Sequence, residues 1–425
     1  MRVLGRAFRH PNFRLFYGGQ VVSLSGLWMQ YTAMAWLVFR LTDSAAMVGV
    51  TTLAMQGPGL VLGPIAGALA DRHDKRRILV AMQGFALLTS LVLGLLTVWQ
   101  VVRPWHVVIV AFTAGMARAV EVPTRHAFLP ELVDRGDLSN AIALNSALFN
   151  IARLAGPAMA GVLIPTVGEG WCFLGNAVAG LGIIAALLAM RLDARRRTLD
   201  AEIPSLWTDI AEGFAYVRAE PSMRAALGAL TVVAAFGMPY GVLMPSFAQR
   251  ALGGGPETYS QLQVAIALGA LMGALRLAAR LEVEGLDRWS MFAGVGFGSG
   301  LVALSFARST TAAFPVLVFV GLAFIVQLAS VNTLLQTLVP DRLRGRVMSL
   351  NSSLLLGIFP ISGLLAGWLA DRVGEAVVIR IGGALVVVGA IVLGRLLSAR
   401  ASASLERARE LRLEEELAEL AEDPS

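Results

Sequence analysis

Three charged residues in this sequence lie within long apolar segments, where they could carry protons or bind ions. Glu121 is the only carboxylate well inside such a segment, and Arg118 precedes it by three residues, so the two share one helix face. Arg153 lies near the middle of another apolar segment. Charges at that depth normally face the interior of a helix bundle and have a partner.

Glu121 has two interpretations. Burial favours the protonated form of a carboxylate in general, whereas a neighbouring arginine favours the ionised form. In the first interpretation Glu121 is therefore a proton carrier, switched by Arg118 or Arg153. In the second, Glu121 forms a permanent structural ion pair. The residue types fit both.

The elements that must position these residues are membrane-spanning helices. The 425 residues are 56% hydrophobic and 15% charged, whereas soluble domains carry about 25% charged residues. Because about 20 apolar residues span a bilayer as a helix, the sequence predicts an all-α membrane protein with twelve transmembrane helices. They are expected at 13–39, 45–70, 78–102, 104–125, 138–166, 170–190, 223–249, 258–279, 289–307, 312–338, 345–370 and 375–397.

The basic residues predict the orientation of these helices. With the N-terminus inside, 27 of the 35 lysines and arginines fall on the inner side and six on the outer side. Positive residues collect on the cytoplasmic side of membrane proteins. We therefore expect a multi-pass protein of the bacterial cytoplasmic (inner) membrane with both termini in the cytoplasm. The same scatter of short basic clusters argues against nucleic-acid binding.

The sequence repeats itself at a spacing of 206 residues. GPIAGAL at 63–69 matches GALMGAL at 269–275, and ALNSAL at 143–148 matches SLNSSL at 349–354. This predicts two pseudo-symmetric six-helix bundles. The expected divisions are an N-terminal bundle at 1–190, a cytoplasmic linker with an amphipathic helix at 191–222, a C-terminal bundle at 223–398 and a cytoplasmic tail at 399–425.

The segment 63–77, GPIAGALADRHDKRR, joins the second and third predicted helices. In it Gly67 is followed by the pair Asp71 and Arg72 and by basic residues that include Arg76. This pattern resembles the signature loop of the major facilitator superfamily, whose fold has two six-helix halves. The resemblance implies that these residues form a gating loop at the inner face.

One residue of this loop departs from the general pattern. Asp74 stands where the superfamily has glycine, and an acidic residue there is similar to members of the enterobactin-exporter type. A plainer alternative is that 71–77 only ends the helix at the cytoplasmic face.

The segment 121–161 carries a second resemblance. Its Pro123, Arg125, LPELV and NAIALNS stretches look like drug–proton and siderophore exporters, including the macrolide-efflux branch. ARLAGPAMAG at 152–161 is similar to the Gly-Pro motif on helix five of antiporters in this superfamily, and places Gly156, Pro157 and Gly161 where the helix would bend and pack closely. This implies export, although glycine and proline are also common in membrane helices generally.

Polar amides supply candidates for a central cavity, which helices one, four, seven and ten line in this superfamily. An amide in a membrane bundle can contact substrate or can tie helices together. The candidates are Gln20, Gln30, Gln56, Gln263, Gln327 and Asn332. The first helix also carries Trp28, Tyr31 and Trp36, which suit a bulky substrate or contact with lipid.

The sequence lacks the motifs of ATP-driven transporters, metalloproteins and enzymes. No Gly-Lys-Ser/Thr phosphate loop appears, and the four histidines and single cysteine make a poor metal set. We therefore expect no enzyme activity, no cofactor and no metal. The resemblance implies a secondary transporter, acting as a monomer by alternating access, that exports a small amphipathic molecule (drug or siderophore-like) with the proton as coupling ion. Uptake of a nutrient or metabolite by the same fold is the alternative.

Overall fold

The computed structural model describes residues 5–191, 214–278 and 285–422, without the side chains of 64–72, 278, 341–342 and 399–422. In these ranges the regular structure is helical throughout. The predicted linker with its amphipathic helix, 191–222, lies mostly outside the described residues, and within it 214–219 is described as helix.

Six long helices form the first half of the chain. They are α1 (Pro11–Thr42), α2 (Ala45–Arg72), α3 (Lys75–Val98), α4 (Pro104–Phe128), α5 (Leu138–Val167) and α6 (Glu169–Ala189). Proline opens α1 and α4, where its missing N–H would have no partner in the helix. Asp74 caps α3 by accepting a hydrogen bond from the Arg77 backbone N–H at 3.2 Å.

Six further helices form the second half. They are α7 (Pro221–Ala251), α8 (Pro256–Ala278), α9 (Leu286–Leu304), α10 (Thr310–Leu338), α11 (Asp341–Val373) and α12 (Glu375–Glu422). Helix α7 is interrupted by π-helical turns at Val233–Gly237 and Phe247–Ala251. Eleven helices of the described chain are long and apolar enough to cross a membrane. The remaining one, α9, packs against α10 and α12 within the bundle.

The 206-residue repeat is visible in the helix bounds. Helix α3 ends at Val98 and α9 at Leu304, and α5 ends at Val167 and α11 at Val373. The next residues, Gly168 and Gly374, have φ angles of 92° and 89°. Only glycine adopts this backbone region without strain, so the same turn ends the fifth helix of each half.

The halves meet at one face of the bundle. We call the face where α1 begins the termini face, and the face where α1 ends the opposite face. Near the opposite face one apolar cluster joins both halves and includes Phe39, Phe173, Phe247 and Leu304. Toward the termini face, the described apolar residues form separate clusters, each within one half. The described molecule is therefore sealed at the opposite face and divided toward the termini face.

Candidate functional site

The first candidate site lies on α4, where three charged residues share one face. Glu121 pairs with Arg125, one turn further along, with Oε1 and Nε 3.2 Å apart. Their side chains are only 14% and 6% exposed. The Arg125 Nε–H finds no aligned acceptor in the described chain, so the contact is an ion pair without a good hydrogen bond. Arg125 is not among the predicted partners of Glu121, which are Arg118 and Arg153, although the i,i+4 spacing of Glu121 and Arg125 also favours an ion pair.

Arg118 contacts α1 instead. Its guanidinium carbon lies 5.6 Å from the centre of the Tyr31 ring, and its N–H groups are within hydrogen-bonding reach of the Tyr31 hydroxyl. Glu121 is near enough to interact electrostatically with both side chains. The charge of Glu121 therefore acts on a side chain of α1, Tyr31, as well as on Arg118 of α4.

A small cavity of about 60 Å³, lined by both polar and apolar side chains, adjoins these residues within the first half. Glu121, Arg118 and Tyr31 line it together with Gln20, which is almost fully buried. The cavity has several polar groups in its wall and is large enough for ordered water. Gln20 thus lines the same cavity as Glu121, inside the first half.

Gln30 ties three helices together. Its Oε1 accepts hydrogen bonds from the Ser90 hydroxyl and from Asn176 Nδ2, both at 2.7 Å. Asn176 also donates to Ser90 at 3.1 Å. These bonds join α1, α3 and α6, and Gln30 also lines the small cavity beside Glu121.

Arg153 lies apart from Glu121. Its guanidinium carbon is 5.8 Å from the centre of the Trp28 ring on α1, and across the interface between the halves it interacts electrostatically with Tyr240 of α7. No described contact joins Arg153 to Glu121. The expected switching of Glu121 by Arg153 therefore has no support in the geometry, because each arginine lies against a different aromatic side chain of α1.

The other amide candidates occupy different environments. Gln263 donates to the Tyr259 hydroxyl at 3.4 Å, and Asn332 accepts from Asn351 at 2.9 Å, which joins α10 to α11. Gln327 is buried, and within the described chain its Oε1 has no hydrogen-bond partner. Gln56 is half-buried on α2.

The predicted gating loop is described only in part. Helix α2 continues to Arg72, but the side-chain contacts of Gly67, Asp71 and Arg72 lie outside the described residues. Arg76 donates to the carbonyl oxygens of Met190 and Leu188 at the end of α6. A cation there complements the helix C-terminus. Arg76 thus binds within its own half.

The helix-five motif brings α5 close to α1 and to the second half. A Cβ on Gly156 would lie 2.3 Å from the Trp28 Cβ, and one on Gly161 would lie 2.7 Å from the Ser260 Cβ of α8. Pro157 lies inside α5. The motif therefore allows α5 to approach two neighbours, one of them across the interface between the halves.

Replacing Gly156 with alanine is expected to destabilise the protein. The new methyl group would also meet the Met29 backbone nitrogen at 2.6 Å, so α1 and α5 would have to separate. Overpacking of this kind costs about 1–3 kcal/mol, which thermal unfolding in detergent measures. Gly182→Ala on α6 is the matched control, because nothing lies within 4 Å of its Cβ. Equal unfolding temperatures for the two variants would contradict this packing argument.

A second charged cluster, which no motif in the sequence indicated, lies at the opposite face. Arg250 at the end of α7 contacts Asp43 at 3.2 Å, Asp371 at 3.4 Å and Glu375 at 3.3 Å. It also donates to the Asp43 carbonyl oxygen. Asp43 belongs to the first half and the other two acids to the second, so Arg250 joins the halves.

Asp371 makes a second connection between the halves. Its carboxylate accepts hydrogen bonds from the Ser44 hydroxyl at 2.6 Å and from the backbone N–H groups of Ala45 and Ala46 at 2.8 and 3.0 Å. These groups form the N-terminus of α2, which otherwise has no acceptor in its own helix. A residue of α11 therefore caps a helix of the other half.

The first half contains an ion pair that resembles the Arg250–Glu375 pair, but its two residues both belong to the first half. Arg40 at the end of α1 contacts Glu169 at 2.7 Å, and Glu169 precedes Glu375 by the repeat distance of 206 residues. Both carboxylates are buried. The repeat could have identified this pair of acids from the sequence.

Two six-helix halves that meet at one face and divide toward the other form an architecture typical of membrane transporters. The chain belongs to the transmembrane secretion effector family of the major facilitator superfamily, whose family model matches residues 6–423.

Individual proteins agree with this assignment. The chain is 26% identical to the staphyloferrin A transporter of Staphylococcus aureus, over 85% of this chain and 90% of the relative. It is 25% identical to macrolide efflux protein A of Streptococcus pyogenes, over 89% and 94%. Among solved structures, the nucleoside transporter NupG superposes with a TM-score of 0.71 at 13% identity, over 91% of this chain and 99% of that one. This last likeness shows the fold.

Proposed function

We propose that this protein exports a small amphipathic molecule across the bacterial cytoplasmic membrane in exchange for protons, by alternating access. The observation that carries the proposal is Glu121, the single carboxylate at depth in an apolar helix, set between two arginines beside a small cavity with polar groups in its wall. Protons can reach such a group through water, and its neutral form releases Arg125 from the ion pair.

The proposed cycle links this protonation to the movement of the halves. With Glu121 ionised, Arg125 is paired and Arg118 lies against Tyr31. Protonation of Glu121 removes the negative charge that lies between Arg118 and Arg125. The two positive charges then repel each other. Because Tyr31 and Trp28 are on the same helix and their rings pack at 5.9 Å, a change at Glu121 reaches the interface between the halves through α1.

The export direction is supported by the family, described as transmembrane secretion effectors, and by the similarity to a macrolide efflux protein. In the proposed orientation the termini face is cytoplasmic, so the described state is open toward the cytoplasm. The proposed rigid units are residues 1–190 and 223–398, joined by the linker 191–222 and followed by the tail 399–425. Asp71 and Arg72 are proposed to close the termini face in the other state.

Cells that express the protein are expected to accumulate less of at least one labelled compound from a panel of anionic, neutral and cationic amphipaths that includes a macrolide. A protonophore should abolish the difference, since it removes the proton gradient. Cells with the empty vector are the control. Higher accumulation on expression would indicate uptake, and a difference that survives the protonophore would contradict proton coupling.

A further inference from the structure

Arg153 is a positive charge without a counter-charge. Among the described residues it has no ion pair or hydrogen bond, and its contacts are the Trp28 ring and the electrostatic interaction with Tyr240. It is half-buried, near the middle of α5, at the interface between the halves. Unpaired charge at this depth is costly in a membrane protein and usually marks a functional site.

Four helices of the bundle contribute no carboxylate that could neutralise it. Helices α1, α5, α7 and α10 contain no Asp or Glu along their whole length. Glu121 on α4 is already paired with Arg125, and Arg118 adds another positive charge beside it. The centre of the bundle therefore has a positive excess, which a bound anion would balance.

The groups around Arg153 are hydrogen-bond donors. Trp28 Nε1 is buried and has no acceptor in the described chain, and an indole N–H can only donate. The Tyr240 hydroxyl can donate as well. A guanidinium offers paired N–H groups that match the two oxygens of a carboxylate or phosphate. This set is complementary to an anionic headgroup, and it contains no carboxylate that would pair with a cation.

Apolar space adjoins the same place. Tyr240 also lines a cavity of about 720 Å³ between α7, α11 and α12, whose other walls include Leu243, Leu301 and Ile358. That volume is within the range of small-molecule sites. Two wall residues, Ile361 and Ile381, are half exposed at the outer surface of the bundle, so the cavity opens toward the bilayer.

We infer that Arg153, Trp28 and Tyr240 form the headgroup site for an amphipathic organic anion whose apolar body occupies the cavity beyond Tyr240. This names the substrate class of the transport proposed above and rests on that proposal. A carboxylate or phosphate headgroup would bind the guanidinium and the indole N–H. Tyr240 would lie beside the junction of the headgroup and the apolar body.

The test is a charge series on one skeleton: 2-naphthoate, 2-naphthamide and 2-naphthylmethylammonium. Binding to the purified full chain in phosphatidylcholine nanodiscs is measured by the rise in unfolding temperature, since a ligand that binds only the folded state stabilises it. We expect naphthoate to bind at least tenfold more tightly than the other two. Arg153→Gln should remove this preference, Arg153→Lys should keep part of it, and Arg276→Gln should leave it unchanged, because Arg276 is an exposed arginine of α8.

Three results would overturn the site. They are tighter binding of the ammonium compound, equal binding of all three, and no binding of naphthoate at millimolar concentration. Nanodiscs that contain phosphatidylglycerol form a further arm. If that lipid alone stabilises the protein through Arg153 and naphthoate does not compete, the site belongs to a lipid headgroup and the substrate assignment is wrong.

Two experimental outcomes distinguish the anion site from the transport proposal. Proton-driven efflux restricted to cationic or neutral compounds would overturn the anion site and leave the transport proposal intact. Charge-selective binding at Arg153 without any proton-driven transport would do the reverse. Where Arg153→Gln unfolds during purification, Arg153→Lys with Trp28→Phe tests the same contacts, because the latter keeps an aromatic ring and removes only the indole donor.

Discussion

Membrane vesicles that carry Glu121→Gln are expected to lose uphill, proton-driven transport and to keep downhill exchange of substrate for substrate. Glutamine has nearly the shape of protonated glutamate but cannot release a proton. The variant can therefore bind substrate and change conformation with it, while the step that couples this to the proton gradient is missing. Uphill transport should fall to the level of vesicles without the protein.

Exchange activity separates the two interpretations of Glu121. If the carboxylate only pairs with Arg125, its loss leaves a buried arginine without a partner, which is strongly destabilising. Both transport modes and the unfolding temperature would then fall together. Glu131→Gln is the matched control, because Glu131 also forms an ion pair, with Lys75 at 2.7 Å, but lies at the termini face. Normal uphill transport by Glu121→Gln would exclude the proton-carrier role.

The variant Arg250→Gln is expected to open the opposite face more often. It removes contacts with Asp43 of the first half and leaves Asp371 and Glu375 without their cation. Because Arg250 is 31% exposed and Asp43 is 74% exposed, solvent screening keeps the effect modest. We expect about 1 kcal/mol, or roughly fivefold in the equilibrium between closed and open states.

Labelling of a buried cysteine measures this equilibrium. Cys172 is the only native cysteine, so a Cys172→Ala background accepts Ser260→Cys, at a position that is 2% exposed and faces Gly161 across the interface. A membrane-impermeant maleimide should label it about five times faster in the Arg250→Gln variant, in proportion to the open population. Arg40→Gln is the control, because Arg40 pairs with Glu169 inside one half. Equal acceleration by both arginine variants would mean that general destabilisation, and not release of the interface, exposes the cysteine.

Much of the fold follows from local properties of the sequence. Apolar runs predict the helices because a backbone in lipid must satisfy its own hydrogen bonds, and the 206-residue repeat predicts the two halves. Gly168 and Gly374, which are one repeat apart, end the fifth helix of each half with the same turn. Helix α9 is the least certain membrane span among the described helices. It is long enough to cross a membrane, but its most apolar stretch is less apolar than that of any of the other eleven helices.

The charged contacts depend on distances in space that the sequence does not encode locally. Glu121 and Arg125 are one turn apart, so their pairing was predictable from spacing. Arg250 and Asp43 are 207 residues apart, and Arg250 and Asp371 are 121 apart. Such pairs meet only because α7, α11 and the α1–α2 turn converge at one face. For the same reason Arg153 lies near enough to Tyr240 to interact with it electrostatically, while no described contact joins it to Glu121.

The cap that Asp371 places on α2 gives each opening of the opposite face an energetic cost. When the opposite face opens, the first N–H groups of α2 lose their acceptor, and caps of this kind contribute about 0.5–2 kcal/mol. External water or a dissolved anion can replace the carboxylate at the freed helix end, where the helix dipole attracts negative charge. In the proposed orientation this face is extracellular, so the ionic composition of the external solution would change the free-energy difference between the closed and open conformations.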